Sequence, residues 1–199
     1  MMDAKMKGMV MAAMSALCLI LGIMGAMGTT WLVESEPEED APEGSYSLTA
    51  SHVDMEEAEM CDAFADFIEA GECDGAVYSV SFSEICDMDE DDEDTCDMAT
   101  GGMIGTIGMW AGIVCALLIT LTMVLPMAGV DAMDAVPEMA TKVATWGAGA
   151  LMLVGMLGWY MMLPDGGDMS LGMSGWMAGA AMSMGLGSAL IGQFIEADE

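Results

Sequence analysis

The chain is short of positive charge. It has three lysines, no arginine and one histidine against 33 Asp and Glu, for a net charge of −30. Nucleic-acid binding needs a basic face, so that class of function is excluded. The same excess repels anionic lipid headgroups. It reads as solvation, suited to salty surroundings where like-charge repulsion is screened. His52 alone cannot supply the histidine pair of a haem site, and with no C-x-x-C spacing it makes a poor zinc site. The missing C-x-x-C also argues against a thiol oxidoreductase. Asp, Glu, Lys and Arg are absent from four runs, residues 8–33, 101–130, 143–164 and 169–195, of 26, 30, 22 and 27 residues. Proton relays and ion pathways place acids, bases or rings of charge at depth. With none there, and no catalytic signature elsewhere, neither an enzyme nor a primary transporter is expected.

What fills those runs is membrane-grade sequence. A bilayer core needs about 20 apolar residues as helix, and each run is long enough. Inside lipid the backbone satisfies itself by forming helices. Buried helices of a soluble protein would show a polar outer face at helical spacing, and these runs show none. The expected fold is an all-α membrane protein, a four-helix transmembrane bundle with a small disulfide-bonded α+β extracellular domain in its first outer loop.

Lys5 and Lys7 precede the first span and Lys142 lies between the second and third, so the positive-inside rule puts all three on the cytoplasmic side. The expected layout is a cytoplasmic N-terminus with helix one (1–33), an acidic extracellular domain (34–100) and helix two (101–130). A cytoplasmic loop (131–142), helix three (143–164), an outer turn (165–168), helix four (169–195) and a cytoplasmic tail (196–199) follow. That is a multi-pass protein of the cell membrane. A signal peptide cleaved near Ala26-Met27-Gly28 is the alternative, but its apolar core would span only about 7–15 residues. Leu17 before Cys18 is too large for a lipidation box.

Residues 34–100 hold 24 of the 33 acids and four of the six cysteines. Residues 34–44, rich in Glu and Pro, read as a linker. Residues 45–51 alternate, Tyr46, Leu48 and Ala50 against serines and threonine, and residues 77–83 alternate likewise, so both predict strands. Asp54 and Glu57 form a capping box for a helix ending near Gly71. Met60, Phe64, Phe67 and Ile68 share one of its faces.

Cys61, Cys73, Cys86 and Cys96 are an even set in a domain with a thin core, which in an oxidising compartment means two disulfides. Of the three connectivities, Cys61–Cys73 with Cys86–Cys96 is expected because both close local loops. Between the last two, seven of nine residues are acidic. Asp87, Asp89, Asp91, Asp92 and Asp94 are candidate ligands for weakly held Ca²⁺ or Mg²⁺. An EF-hand is excluded, since glycine is missing at its sixth position and Met98 stands where the bidentate Glu belongs. A solvated charge run is the simpler expectation, with no cofactor. The 27 methionines suit Cu(I) as thioethers, but they occur on every span without converging and read as core filler. Gly101, Gly105, Gly108 and Gly112, and Gly175 with Gly179, are small-xxx-small pairs expected to pack helices. Trp31, Trp159 and Tyr160 are expected as interfacial anchors.

Four spans, both termini inside, a large first outer loop and a Trp after helix one resemble the claudin and peripheral-myelin-protein tetraspan superfamily. That family carries a Gly-Leu-Trp motif, two further residues and a closely spaced cysteine pair. Here Ser81-Phe82-Ser83-Glu84-Ile85-Cys86 leads to Cys96 after nine residues, with Ser81 and Ser83 in the places of Gly and Trp. The resemblance implies a disulfide-pinned outer sheet on a left-handed bundle, with a role in adhesion, barrier formation or as an accessory subunit. Its partners would be the bilayer and another membrane or surface protein, a second copy included. The alternative function is a metal-handling membrane protein that gathers divalent cations on its outer carboxylates.

Overall fold

The computed structural model describes residues 2–34, 44–55, 57–68, 70–89, 91–127, 129, 137–164, 169–195 and 197–198. In chain order these form β1 (Met2–Asp3), α1 (Ala4–Met27), β2 (Leu32–Glu34), β3 (Gly44–Tyr46), β4 (Ala50–Asp54), α2 (Ala58–Ile68) and β5 (Glu72–Asp74). There follow β6 (Val77–Ser81), α3 (Phe82–Met88), α4 (Glu93–Met127), α5 (Glu138–Tyr160), β7 (Met169–Leu171), α6 (Met173–Phe194) and β8 (Ala197–Asp198). The expected linker over 35–43, the loop over 131–136 and the outer turn 165–168 lie outside the described residues, as do Glu196 and Glu199 of the tail.

Among the described residues, three helices are long and apolar enough to cross a membrane, over Lys5–Met27, Glu93–Pro126 and Glu138–Tyr160. α6, at 22 residues, has a sequence diluted by five glycines and three serines and is not among them. α4 starts earlier than the apolar run predicts. Its 35 residues correspond to about 52 Å at 1.5 Å per residue. The extra turns come from the acid run, because Glu93 and Asp94 in the first turn favour a helix N-terminus. α1 stops at Met27, where Gly28 follows. Of the residues beyond it, Thr29, Thr30, Trp31 and Val33 are of the β-branched and aromatic kind that strands favour.

The chain forms two compact units. The first comprises Met1–Ala26, Ile107–Met156 and Met177–Glu199. Here α1 runs antiparallel to α6. Ser15 and Ser188 join their hydroxyls at 3.1 Å, the Lys7 ammonium donates to the carbonyls of Gly192 at 3.1 Å and Ile195 at 2.6 Å, and β1 pairs with β8. Gly25 meets Ala178, where an added Cβ would sit 3.0 Å from the Ala178 nitrogen. α4 runs antiparallel to α5, with Gly108 on Gly155, Gly112 on Ala148 and Met152, and Cys115 on Gly147. Gly149 closes α5 on Gly185 and Leu186 of α6. Met109, Ile113, Ala116, Ile119, Ala148 and Met152 are buried between them.

The second unit comprises Met27–Thr106 and Leu157–Trp176. A six-stranded antiparallel sheet runs β5-β6-β4-β3-β2-β7. Residues 45–51 are not one strand. β3 turns at Ser47, whose hydroxyl accepts from the Ala50 amide at 3.0 Å, and the chain returns as β4. Asp54 ends β4 rather than capping a helix, and α2 begins at Ala58, with Glu57 O accepting from the Met60 and Cys61 amides. Gly71 follows α2 at φ +75°, the left-handed geometry glycine takes without strain. β6 ends at Ser81, not Ser83, because Ser81 caps α3 by accepting from the Glu84 amide at 3.1 Å.

The core of this unit overturns two sequence expectations. Trp31 is fully buried and Trp159 nearly so, with ring centroids 5.1 Å apart edge to face. Both pack inside the protein, so neither anchors in headgroups; Tyr160 is exposed. Gly101 lies under Met162 and Gly105 between Leu48 and Trp159, while Gly175 faces Leu171 and the Trp31 carbonyl. In the first unit, an added Cβ at Gly179 would meet nothing within 4 Å among the described residues, so Gly179 packs on none of their helices.

Candidate functional site

α2 is built to bury one face on the sheet. Cys61 is fully buried and bonds Cys73 on β5, with Cα atoms 6.0 Å apart. Cys61, Ala70, Tyr78 and Val80 form a small core with Met55, Ala65, Cys73 and Ile85 against it. Phe64 lies edge-on to Tyr78 at 5.0 Å, and the Tyr78 hydroxyl donates to the Ala70 carbonyl at 3.0 Å. Burial, with the Glu84 carboxylate adding to it, raises the Tyr78 pKa.

The apolar stripe of α2 is wider than this core. Met60, Phe64 and Phe67 recur at i, i+4 and i+7, along one helix flank. They are 52%, 38% and 86% exposed, with Ile68 at 36% and Val77 of β6 at 36% beside them. Three-residue β5 is too short to cover them. The other flank of α2 carries Glu59, Asp62 and Asp66, all exposed. Glu72 and Glu84 line a neighbouring groove of about 290 Å³ with Ser79 and Ser81. The result is an apolar patch with an acidic border. The sequence shows the stripe; what it does not show is that too little sheet lies beneath it.

The described carboxylates of the acid run are exposed, as in a solvated charge run, and some of them also cap helices. Cys86 on α3 bonds Cys96 on α4, with Cα atoms 4.9 Å apart, so the run folds back within a short turn. Asp87 lies on α3 and Asp89 caps its end. The Asp89 carboxylate accepts from the Asp91 amide at 3.3 Å. Asp92 accepts from the Thr95 hydroxyl at 2.7 Å and from its amide at 3.4 Å. Those bonds, the hydroxyl's first, hold the Asp92 pKa below the ordinary aspartate value. Asp94 sits in the first turn of α4. Among the described residues, no group of three or more His, Cys, Asp or Glu is placed to hold a metal ion. Asp92-x-x-Thr95 and Ser81-x-x-Glu84 are capping patterns that locate both helix starts.

His52 pairs across the sheet with Ser79, its Nδ1 lying 2.7 Å from the Ser79 hydroxyl, while Nε2 is buried without a partner among the described residues. Desolvation lowers its pKa from the usual 6.5. It is half-buried, and its bond to Ser79 ties β4 to β6.

Replacing Cys86 and Cys96 with serine is expected to cost about 2–3 kcal/mol, the usual worth of a closed loop this short. The chain should still insert, because insertion depends on the apolar runs. Non-reducing peptide mapping and protease digestion of the full chain read the outcome. Unchanged resistance in the double variant counts against any such contribution.

Compared with protein-family models and with curated proteins, the chain matches none of either.

Proposed function

We propose that the chain is a four-span membrane protein without catalytic activity, whose outer domain holds a second protein on the exposed flank of α2. The observation that carries this is Phe67, 86% exposed beside Met60 and Phe64. Burying such an aromatic is worth about 1.5–3 kcal/mol, a gain that folding leaves unused and association can collect. The acids of α2 and the neighbouring groove select a partner with an apolar centre and a rim of lysine or arginine. A second copy of this chain, at −30, is a poor match. The tetraspan resemblance implies an adhesive or accessory role of this kind, while α2 and its Cys61–Cys73 bond are additions to that family's pattern.

α6 serves as the fourth crossing. β1 and β8 pair, and Lys7 holds the last carbonyls of α6. Ends that touch lie on one side of a membrane, which takes an even number of crossings. Trp176, Leu190 and Phe194 of α6 are exposed, as a lipid-facing helix requires. The lysines place that side in the cytoplasm. Labelling of Lys142 by an impermeant amine reagent on intact cells would sink this topology.

For the contact itself, a photoreactive residue at position 67 should give one discrete adduct with a different protein in intact cells, and the same residue at position 62 should not. Phe67→Glu should weaken that partner's binding by about 2 kcal/mol, roughly thirtyfold. No adduct, or one of twice the chain's own mass, overturns the reading.

A further inference from the structure

A cleft of about 470 Å³ opens in the first unit where α1 and α5 begin and α6 ends. Met11, Ala189 and the Trp146 indole make its apolar walls, and Thr141, Lys142 and Gln193 its polar ones. The indole donates to the Gln193 carbonyl oxygen at 3.0 Å, which orients that amide and leaves its NH₂ as a donor. Thr145 spends its hydroxyl on the Thr141 carbonyl at 2.7 Å, whereas the hydroxyl of Thr141 makes no bond among the described residues. Among the described residues, Lys142 pairs with Glu138 alone, at 3.9 Å, and both side chains are exposed, 80% and 92%. Such a pair gives way easily. Three donors therefore converge above an apolar wall.

The surroundings say what kind of molecule this suits. Met139, Val143, Leu190 and Phe194, on two of the three helices that bound the cleft, are 77%, 63%, 47% and 69% exposed. An indole that is apolar in body and polar at its tip marks the boundary between lipid and water. We propose that the cleft seats the phosphate of a membrane lipid headgroup, with Lys142, Thr141 and Gln193 donating to its oxygens and the acyl chains lying along α5 and α6. This rests on the membrane reading above. The chain's overall negative charge does not forbid it, because screening confines each carboxylate's reach to about 10 Å. Among the described residues, the cleft's lining carries one ammonium and two neutral donors, and Glu138 lies beside the ammonium.

The test uses the detergent-solubilised full chain and native mass spectrometry. Phosphatidylglycerol is compared with a phosphate-free glucosyl-diacylglycerol of the same acyl chains. The phosphate lipid should be retained about tenfold better, the worth of one charge-assisted hydrogen bond. Lys142→Gln should erase the preference, Lys142→Arg should keep most of it, and Lys5→Gln, outside the cleft, should leave it intact. Thr141→Val, expected to lower it, stands in if Lys142→Gln does not fold. Equal retention of both lipids, or an unchanged preference in Lys142→Gln, overturns the site. Competition by millimolar inorganic phosphate alone assigns it to a soluble anion and overturns the lipid. Carbonate-resistant membrane association, measured alongside, tests the membrane reading separately.

Discussion

Trp31→Ala is expected to destabilise the second unit by about 3–5 kcal/mol, the range for removing a buried aromatic side chain. The side chain is fully buried, and its loss leaves Trp159 without its edge-to-face neighbour. The main chain at this position still donates to Tyr46 at 2.7 Å and accepts from Gly172 at 2.8 Å. Strand pairing should therefore weaken rather than change register. Near-ultraviolet circular dichroism on heating, together with protease digestion of the outer region, measures the effect. Trp176→Ala is the control, since Trp176 is 65% exposed and a surface change stays within about 0.5 kcal/mol. If both substitutions move the transition equally, Trp31 is not a packing residue.

Gly108→Leu should separate α4 from α5. A Cβ at Gly108 would lie 2.5 Å from the Gly155 Cα and 2.8 Å from the Leu151 carbonyl oxygen. Both obstacles are backbone, so no rotamer change relieves the clash and the helices must move apart. The cost should be on the order of 3 kcal/mol, at the upper end for overpacking. Four residues further on, Gly112 against Ala148 and Met152 would lose its contact as well. Gly179→Leu carries the same change in helix propensity but meets open space, so its effect should be much smaller. Unfolding of the two variants in mixed detergent micelles reads the difference. Equal midpoints would mean that the glycine ladder of α4 is not what brings these helices together.

The apolar runs pointed to α1, α4, α5 and α6 but not to their ends, since α1 stops at Met27 and α4 starts at Glu93. Local spacing also pointed to the two cysteine pairs that the structure joins. The sheet was much less legible. Tyr46, Leu48 and Ala50 keep their alternation through a turn, since Leu48 is buried from the turn itself, and period-two patterning cannot see the reversal. Ser47 was the local sign of it. β2 and β7 were hidden inside runs long enough for helices, and their pairing joins Leu32 to Leu171 across most of the sequence. No window of sequence contains that register. Trp31 shows the same limit: a tryptophan just past a membrane helix suits headgroups and a protein core equally well until its neighbour is known. The exposed flank of α2 was legible as a stripe and illegible as a surface, because exposure depends on how much sheet lies beneath.

The place of β7 in the sheet also sets a timetable. Among the described residues, 169–171 are the partner of β2 on that side, and they leave the ribosome after most of the 199 residues have been joined. Both disulfides can close before then, as can the β3–β4 and β4–β6 pairings. β2 meanwhile waits with one open edge, and open edges recruit other strands. A chain halted between α5 and β7 would carry the rest of this sheet with the β2 edge unsealed.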